Sequence, residues 1–202
     1  MKKYILFILS VFILYSCSFT KPLNVNTTYY EIHPPIHLDK TNIRLNKTIS
    51  VKYSQCSPRF DSELFFYKGQ PYGFKPYINS KWIDSVCNML ESSIIDAINK
   101  SHLFKRAQSI QALSTSDYQL EFYINKFEPV FKNNSKFVII DIFFTTTDKK
   151  TNKVIDNYEF EEKLPINKLN MQCIVTTMNK AAQDSIISLI KRLKKISLRK
   201  IN

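Results

Sequence analysis

The sequence predicts an α+β fold, a mainly antiparallel sheet with two long amphipathic helices packed on one face. Three observations lead there. Strand-like runs over Tyr118–Phe127, Phe137–Thr146 and Val154–Leu164 follow one another with only short polar connections. Helical spacing of apolar residues recurs twice, once after Ser80 and once after Asn170. Only two glycines occur, Gly69 and Gly73. That excludes a dinucleotide fingerprint and a phosphate-binding P-loop, which need several glycines in one short loop. At 202 residues and 44% hydrophobic composition the chain suits one domain with its own core.

The elements read in order as follows. Thr27–Ile32 is strand-like and Pro34-Pro35 stops it. Thr48–Tyr53 alternates apolar and polar residues, as a half-buried strand does. Glu63–Lys68 and Tyr72–Tyr77 form a hairpin around Gly69-Gln70-Pro71. Ser80 is the expected N-cap of the first helix, with Asp84 in its first turn. Trp82, Val86, Leu90, Ile94, Ala97 and Ile98 make its apolar stripe, and Ser101–Phe104 ends it. Leu120, Phe122 and Ile124 alternate against Glu121, Tyr123 and Asn125. Phe137–Thr146 is apolar on both faces at its centre and belongs mid-sheet. Asp148–Lys153 is the turn into the next strand. The last helix starts near Asn170, with Val175, Met178, Ala182, Ile186, Leu189, Leu193 and Ile196 as its stripe. Its end carries Lys191, Arg192, Lys194, Lys195, Arg199 and Lys200, a charge run that suits the helix dipole and could also meet anionic lipid.

The N-terminus predicts an address. Lys2 and Lys3 precede an apolar run, Ile5–Leu14, too short to span a bilayer. It reads as the core of a signal peptide. The following Leu14-Tyr15-Ser16-Cys17 resembles a bacterial lipobox, in which Cys17 becomes the first mature residue and carries lipid. A plain secretory signal is the alternative. Residues 1–16 are then the signal, 17–26 a lipidated tether and 27–202 the single domain. Removing Lys2 and Lys3 with the signal lowers the formal charge from +12 to +10 and leaves 186 residues. By resemblance to bacterial sorting patterns, Ser18 favours the periplasmic face of the outer membrane. An exported chain does not meet nucleic acid, despite its charge.

Few residues offer chemistry. Cys56, Cys87 and Cys173 remain once Cys17 is acylated, so one thiol is left over if a disulfide forms. Cys87 falls in a helical pattern, which leaves Cys56 and Cys173 as the candidate pair; free thiols are the alternative. His33 and His37 are separated by Pro34-Pro35 and cannot converge on a metal as they would on a helix. No Ser/His/Asp or Cys/His arrangement has supporting context, and no cofactor, metal or catalytic residue is predicted. Tyr72, Phe74, Tyr77 and Trp82 are the candidate partner-binding aromatics, through a patch or through the edge of the hairpin. The alternative for Trp82 is packing of helix on sheet.

The order of the motifs resembles the ABC-type transport auxiliary lipoprotein family (the PqiC/YmbA type). Tyr29-Tyr30-Glu31-Ile32-His33-Pro34-Pro35 resembles its first strand, and Tyr77-Ile78-Asn79-Ser80-Lys81-Trp82 the passage into its helix. Ser101-His102-Leu103-Phe104 resembles its Ser-Gly-Leu-Phe, with His in place of Gly. Asp117-Tyr118-Gln119-Leu120 resembles its Asp-Tyr-x-Leu, Asp148–Ile155 its acidic turn, and Met178-Asn179-Lys180-Ala181 its Leu-Asn-x-Ala. The resemblance implies a non-enzymatic outer-membrane lipoprotein. Its implied partners are a periplasmic MCE-domain protein with its ABC permease and ATPase, which move lipids between membranes. A lipid carrier lined by Phe122, Ile124, Val138 and Ile140, an outer-membrane assembly lipoprotein, and a homo-oligomer are the other readings.

Overall fold

The computed structural model describes residues 26–38, 44–112, 115–132 and 135–201. In chain order these form β1 (Thr28–Tyr30), β2 (Leu45–Gln55), β3 (Leu64–Gln70), β4 (Gly73–Trp82), α1 (Val86–Ser101), β5 (Phe104–Ser109), β6 (Tyr118–Lys132), β7 (Ser135–Asp148), β8 (Lys153–Pro165) and α2 (Met171–Ile201). The last three strands make the predicted antiparallel succession, with β7 between β6 and β8. Asp148 accepts from the N–H groups of Lys150 and Thr151 in the turn before β8.

The sheet is mixed, which corrects the expectation of a mainly antiparallel one. One edge of β6 is shared by two strands. Its first half pairs in parallel with β2, and Val130 further along pairs in parallel with Lys68 of β3. β2 continues in parallel to β5, whereas β3 continues antiparallel to β4 and β4 in parallel to β1. The sheet therefore forks beyond β6. Parallel neighbours cannot be joined by a tight hairpin, and here the β3–β4 hairpin and α1 both lie between β2 and β5 in the chain. The helices are also unequal, 16 and 31 residues long, rather than both long.

β5 escaped the sequence reading because only Phe104 and Ala107 of its residues are buried, a spacing of three rather than two. The first helix starts later than predicted. Ser80–Trp82 are held by β1, and Trp82 N–H donates to the Glu63 carbonyl at 2.8 Å. The N-cap is Ser85, whose hydroxyl accepts from Asn88 N–H at 3.2 Å. α2 starts where expected, with Asn170 Oδ1 accepting from Cys173 N–H at 2.8 Å.

α1 packs on β2 and β5, α2 on β6, β7 and β8, and the helices touch. One core joins them, including Val51, Phe122, Ile140, Leu90 and Ile186. Burying each such side chain contributes about 1.5–3 kcal/mol.

Candidate functional site

The fork in the sheet is built around a bulge in β6. The pairing with β7 shifts between Ile124 and Lys126, leaving Asn125 extra. Asn125 Nδ2 and Lys126 Nζ both donate to Asp141 Oδ2, at 2.7 and 2.8 Å. The Arg59 guanidinium, from the β2–β3 connection, donates to the Asn125 carbonyl at 2.6 Å. It lies 3.8 Å from the buried Glu128 carboxylate and stacks over the rings of Phe60 and Phe74. Burial pushes the Glu128 carboxyl above its ordinary value, against the pull of Arg59.

The predicted partner aromatics are placed differently from one another. Tyr72, at the β3–β4 turn, is 99% exposed. Phe74 is half-buried under Arg59 and Lys68. Tyr77 packs edge-on against Phe65, and burial raises its hydroxyl to about 12. Trp82 is 2% exposed and stacks on Phe65 with ring centres 4.3 Å apart, so it packs into the core, but from β4 and not from the helix. Of the four, Tyr72 alone stands free. It overhangs a cleft of about 560 Å³ lined also by Lys68, Lys126, Glu128, Val130 and Lys132.

Sequence reasoning missed a second depression. Tyr67, Tyr77, Phe131, Leu169, Met171 and Ile174 line a groove of about 380 Å³ between the hairpin and the start of α2. These residues come from four separate segments, so no local pattern joins them. The available signal was Leu169, an apolar residue in a polar turn.

The disulfide corrects the expected pair. Cys56 bonds Cys87, with Cα atoms 6.2 Å apart, and Cys173 is free. The helical position of Cys87 does not exclude it: it is the second residue of α1 and faces the end of β2. Cys17 lies outside the described residues. Phe122, Ile124, Val138 and Ile140, the natural lining of a lipid carrier, are all in the core. Among the described residues no cluster of three or more His, Cys, Asp or Glu could hold a metal ion. No described helix is long and apolar enough to cross a membrane.

No family model and no curated protein matches the chain. Solved structures do. Protein XCC0632 from Xanthomonas campestris, described under the family model DUF330, has a TM-score of 0.74 at 15% identity, covering 86% of this chain and 98% of that one. An uncharacterized protein has a TM-score of 0.63 at 12% identity, covering 83% and 99%. These likenesses show the fold. Lipoprotein GNA1162 from Neisseria meningitidis is more distant, with a TM-score of 0.34 at 10% identity over 70% of this chain and 98% of that one.

Proposed function

We propose that the protein is a lipid-anchored adaptor on the periplasmic face of the outer membrane, serving an MCE-type ABC lipid transport system without catalysis of its own. The observation that carries the anchor is the lipobox-like Leu14-Tyr15-Ser16-Cys17, placed just ahead of the residues that lead into β1. The Cys56–Cys87 disulfide supports export, since such bonds persist in oxidising compartments. The system itself is supported by the ordered motifs, whose residues hold defined places in the fold. Asp117 opens β6, His102 closes α1 and Asn179 ties α2 to the chain after β1. With energy supplied by an ATPase elsewhere, this chain needs binding surfaces alone.

The test is affinity capture of the tagged full-length protein from crosslinked cells. Recovery of an MCE-domain protein with its permease and ATPase is the expected result. Recovery of an outer-membrane assembly factor alone overturns the adaptor reading. Cys17→Ala tests the anchor separately: the variant should fold, lose incorporation of labelled fatty acid and leave the membrane fraction.

A further inference from the structure

The described chain begins, at Asn26, beside an apolar end of the molecule. Thr28 of β1 pairs with Ser80, and continuing that register two residues back puts Asn26 level with Ile78. β4 bulges at this place. Lys81 stands opposite Leu64 and Pro76 opposite Phe66, so Tyr77–Ser80 face Phe65 alone. The bulge leaves Ile78 85% exposed. At the same end Tyr77 joins Leu169, itself 60% exposed, in the groove described above. The only other lining residue, beyond the aromatic and apolar side chains already named, is Asn170, and no charged side chain lines the groove. The cleft under Tyr72 differs in this respect, being lined by Lys68, Lys126, Glu128 and Lys132.

The basic end lies elsewhere. After Tyr30 the chain runs along α2 towards its C-terminus. Asn179 bonds the Glu31 carbonyl and the His33 N–H, Gln183 bonds the Pro35 carbonyl, and His37 and Leu38 reach Ile187 and Lys194. Lys191 and Lys194 are therefore about 30–35 Å from the start of α2, at 1.5 Å per helical residue. The segment from Cys17 to Asn26 can reach about 30 Å at full extension. A lipid on Cys17 would therefore draw the groove end, where this segment joins the domain, closer to the bilayer than the lysine end.

We propose that the Tyr77–Leu169 end lies on the bilayer that holds Cys17, and that the groove receives an acyl tail of a phospholipid from that leaflet. The reading rests on the lipid anchor proposed above. Tyr67 and Tyr77 offer the aromatic body and polar tip that suit interfacial depth. Lys168, exposed and next to Leu169 in the chain, offers a positive charge for a headgroup phosphate.

The test uses the lipidated chain in vesicles of phosphatidylethanolamine and phosphatidylglycerol, doped with a phospholipid whose acyl tail carries a diazirine. Illumination should place adducts on peptides containing Tyr77 or Leu169–Ile174. Leu169→Asp, a change on an exposed loop, should cut them about tenfold by charging the groove. Adducts centred on Lys191–Lys194, crosslinks to a second copy, or no adducts on a chain that floats with the vesicles overturn the assignment. A chain that does not float removes the anchor reading, and this proposal falls with it.

Discussion

Arg59 donates to the carbonyl oxygen of Asn125 at 2.6 Å, at the bulge where the sheet divides. One side chain thus satisfies the backbone group that the bulge leaves over and places a positive charge by buried Glu128.

Arg59→Ala should therefore lose about 2–3 kcal/mol, from an orphaned carbonyl and an uncompensated carboxylate. The sign with pH follows from Glu128. Its folded value is raised by burial above the ordinary 4.5, so its favourable contribution is present below 4.5 and is lost as pH rises through the folded value. Removing Arg59 raises that value further. The deficit should be larger at about pH 7 than at about pH 4 in denaturant titrations, and Glu128→Gln should recover part of it at the higher pH. A deficit independent of both would reject the role given to Glu128.

Asp117 joins β2 to β6 before their ladder begins. Its carboxylate accepts from Lys47 Nζ and Thr48 N–H, both at 2.8 Å, and from the Thr48 hydroxyl at 3.0 Å. The Lys47 hydrogen bond, then that from Thr48 N–H, holds its carboxyl below the ordinary 3.8. That contribution is present above 3.8 and is lost as pH falls through the lowered folded value. Asp117→Asn should cost about 1–2 kcal/mol at neutral pH. Its stability should also vary less with pH below about 4 than that of the parent. Parallel acid-unfolding curves would refute this.

The Cys56–Cys87 bridge spans a sequence separation of 31 that contains the β3–β4 hairpin. Closing a loop of that length in the unfolded chain corresponds to about 4 kcal/mol in the chain-entropy account. Cys56→Ala with Cys87→Ala should lower thermal stability strongly, and reductant should do the same to the parent alone. Cys173→Ser should leave the reductant response intact. A parent indifferent to reductant would show that the bridge contributes nothing.

His102 links the sequence reading to the backbone. It stands where the resembled family carries glycine, and it adopts φ 56° and ψ 15° at the end of α1, donating its N–H to the Asn99 carbonyl at 3.2 Å. Glycine holds that left-handed conformation without a Cβ clash. His102→Gly should raise stability by about 1 kcal/mol in denaturant titration. A loss would mean that the imidazole makes a contact worth more than the strain.

Those residues also mark what the sequence could and could not reveal. The β6–β8 succession was legible because alternation over long strands is a local property, as was α2 from its stripe and Asn170. The parallel pairings were not, since Ile49 and Tyr118 meet only through crossovers that no local period encodes. Trp82 misled because it stands four residues before Val86, a helical step, while its backbone belongs to β4. The groove was invisible for the same reason as the pairings: Tyr67 and Ile174 are neighbours only once the chain is folded.

Trp82 and Tyr72 separate stability from docking. Trp82→Ala opens a void against Phe65 and should cost about 3–5 kcal/mol, whatever partner is present. Tyr72 touches so little of its own chain that Tyr72→Ala should move stability by no more than about 0.5 kcal/mol. If the hairpin tip and its cleft form the docking surface, that same variant should still lose most of the crosslinked partner in affinity capture. The reasoning depends on exposure: a side chain 99% open to solvent holds nothing together inside this molecule, so an effect on capture has to come from outside it. Unchanged capture by Tyr72→Ala, with a folded protein, would remove the hairpin tip from the interface.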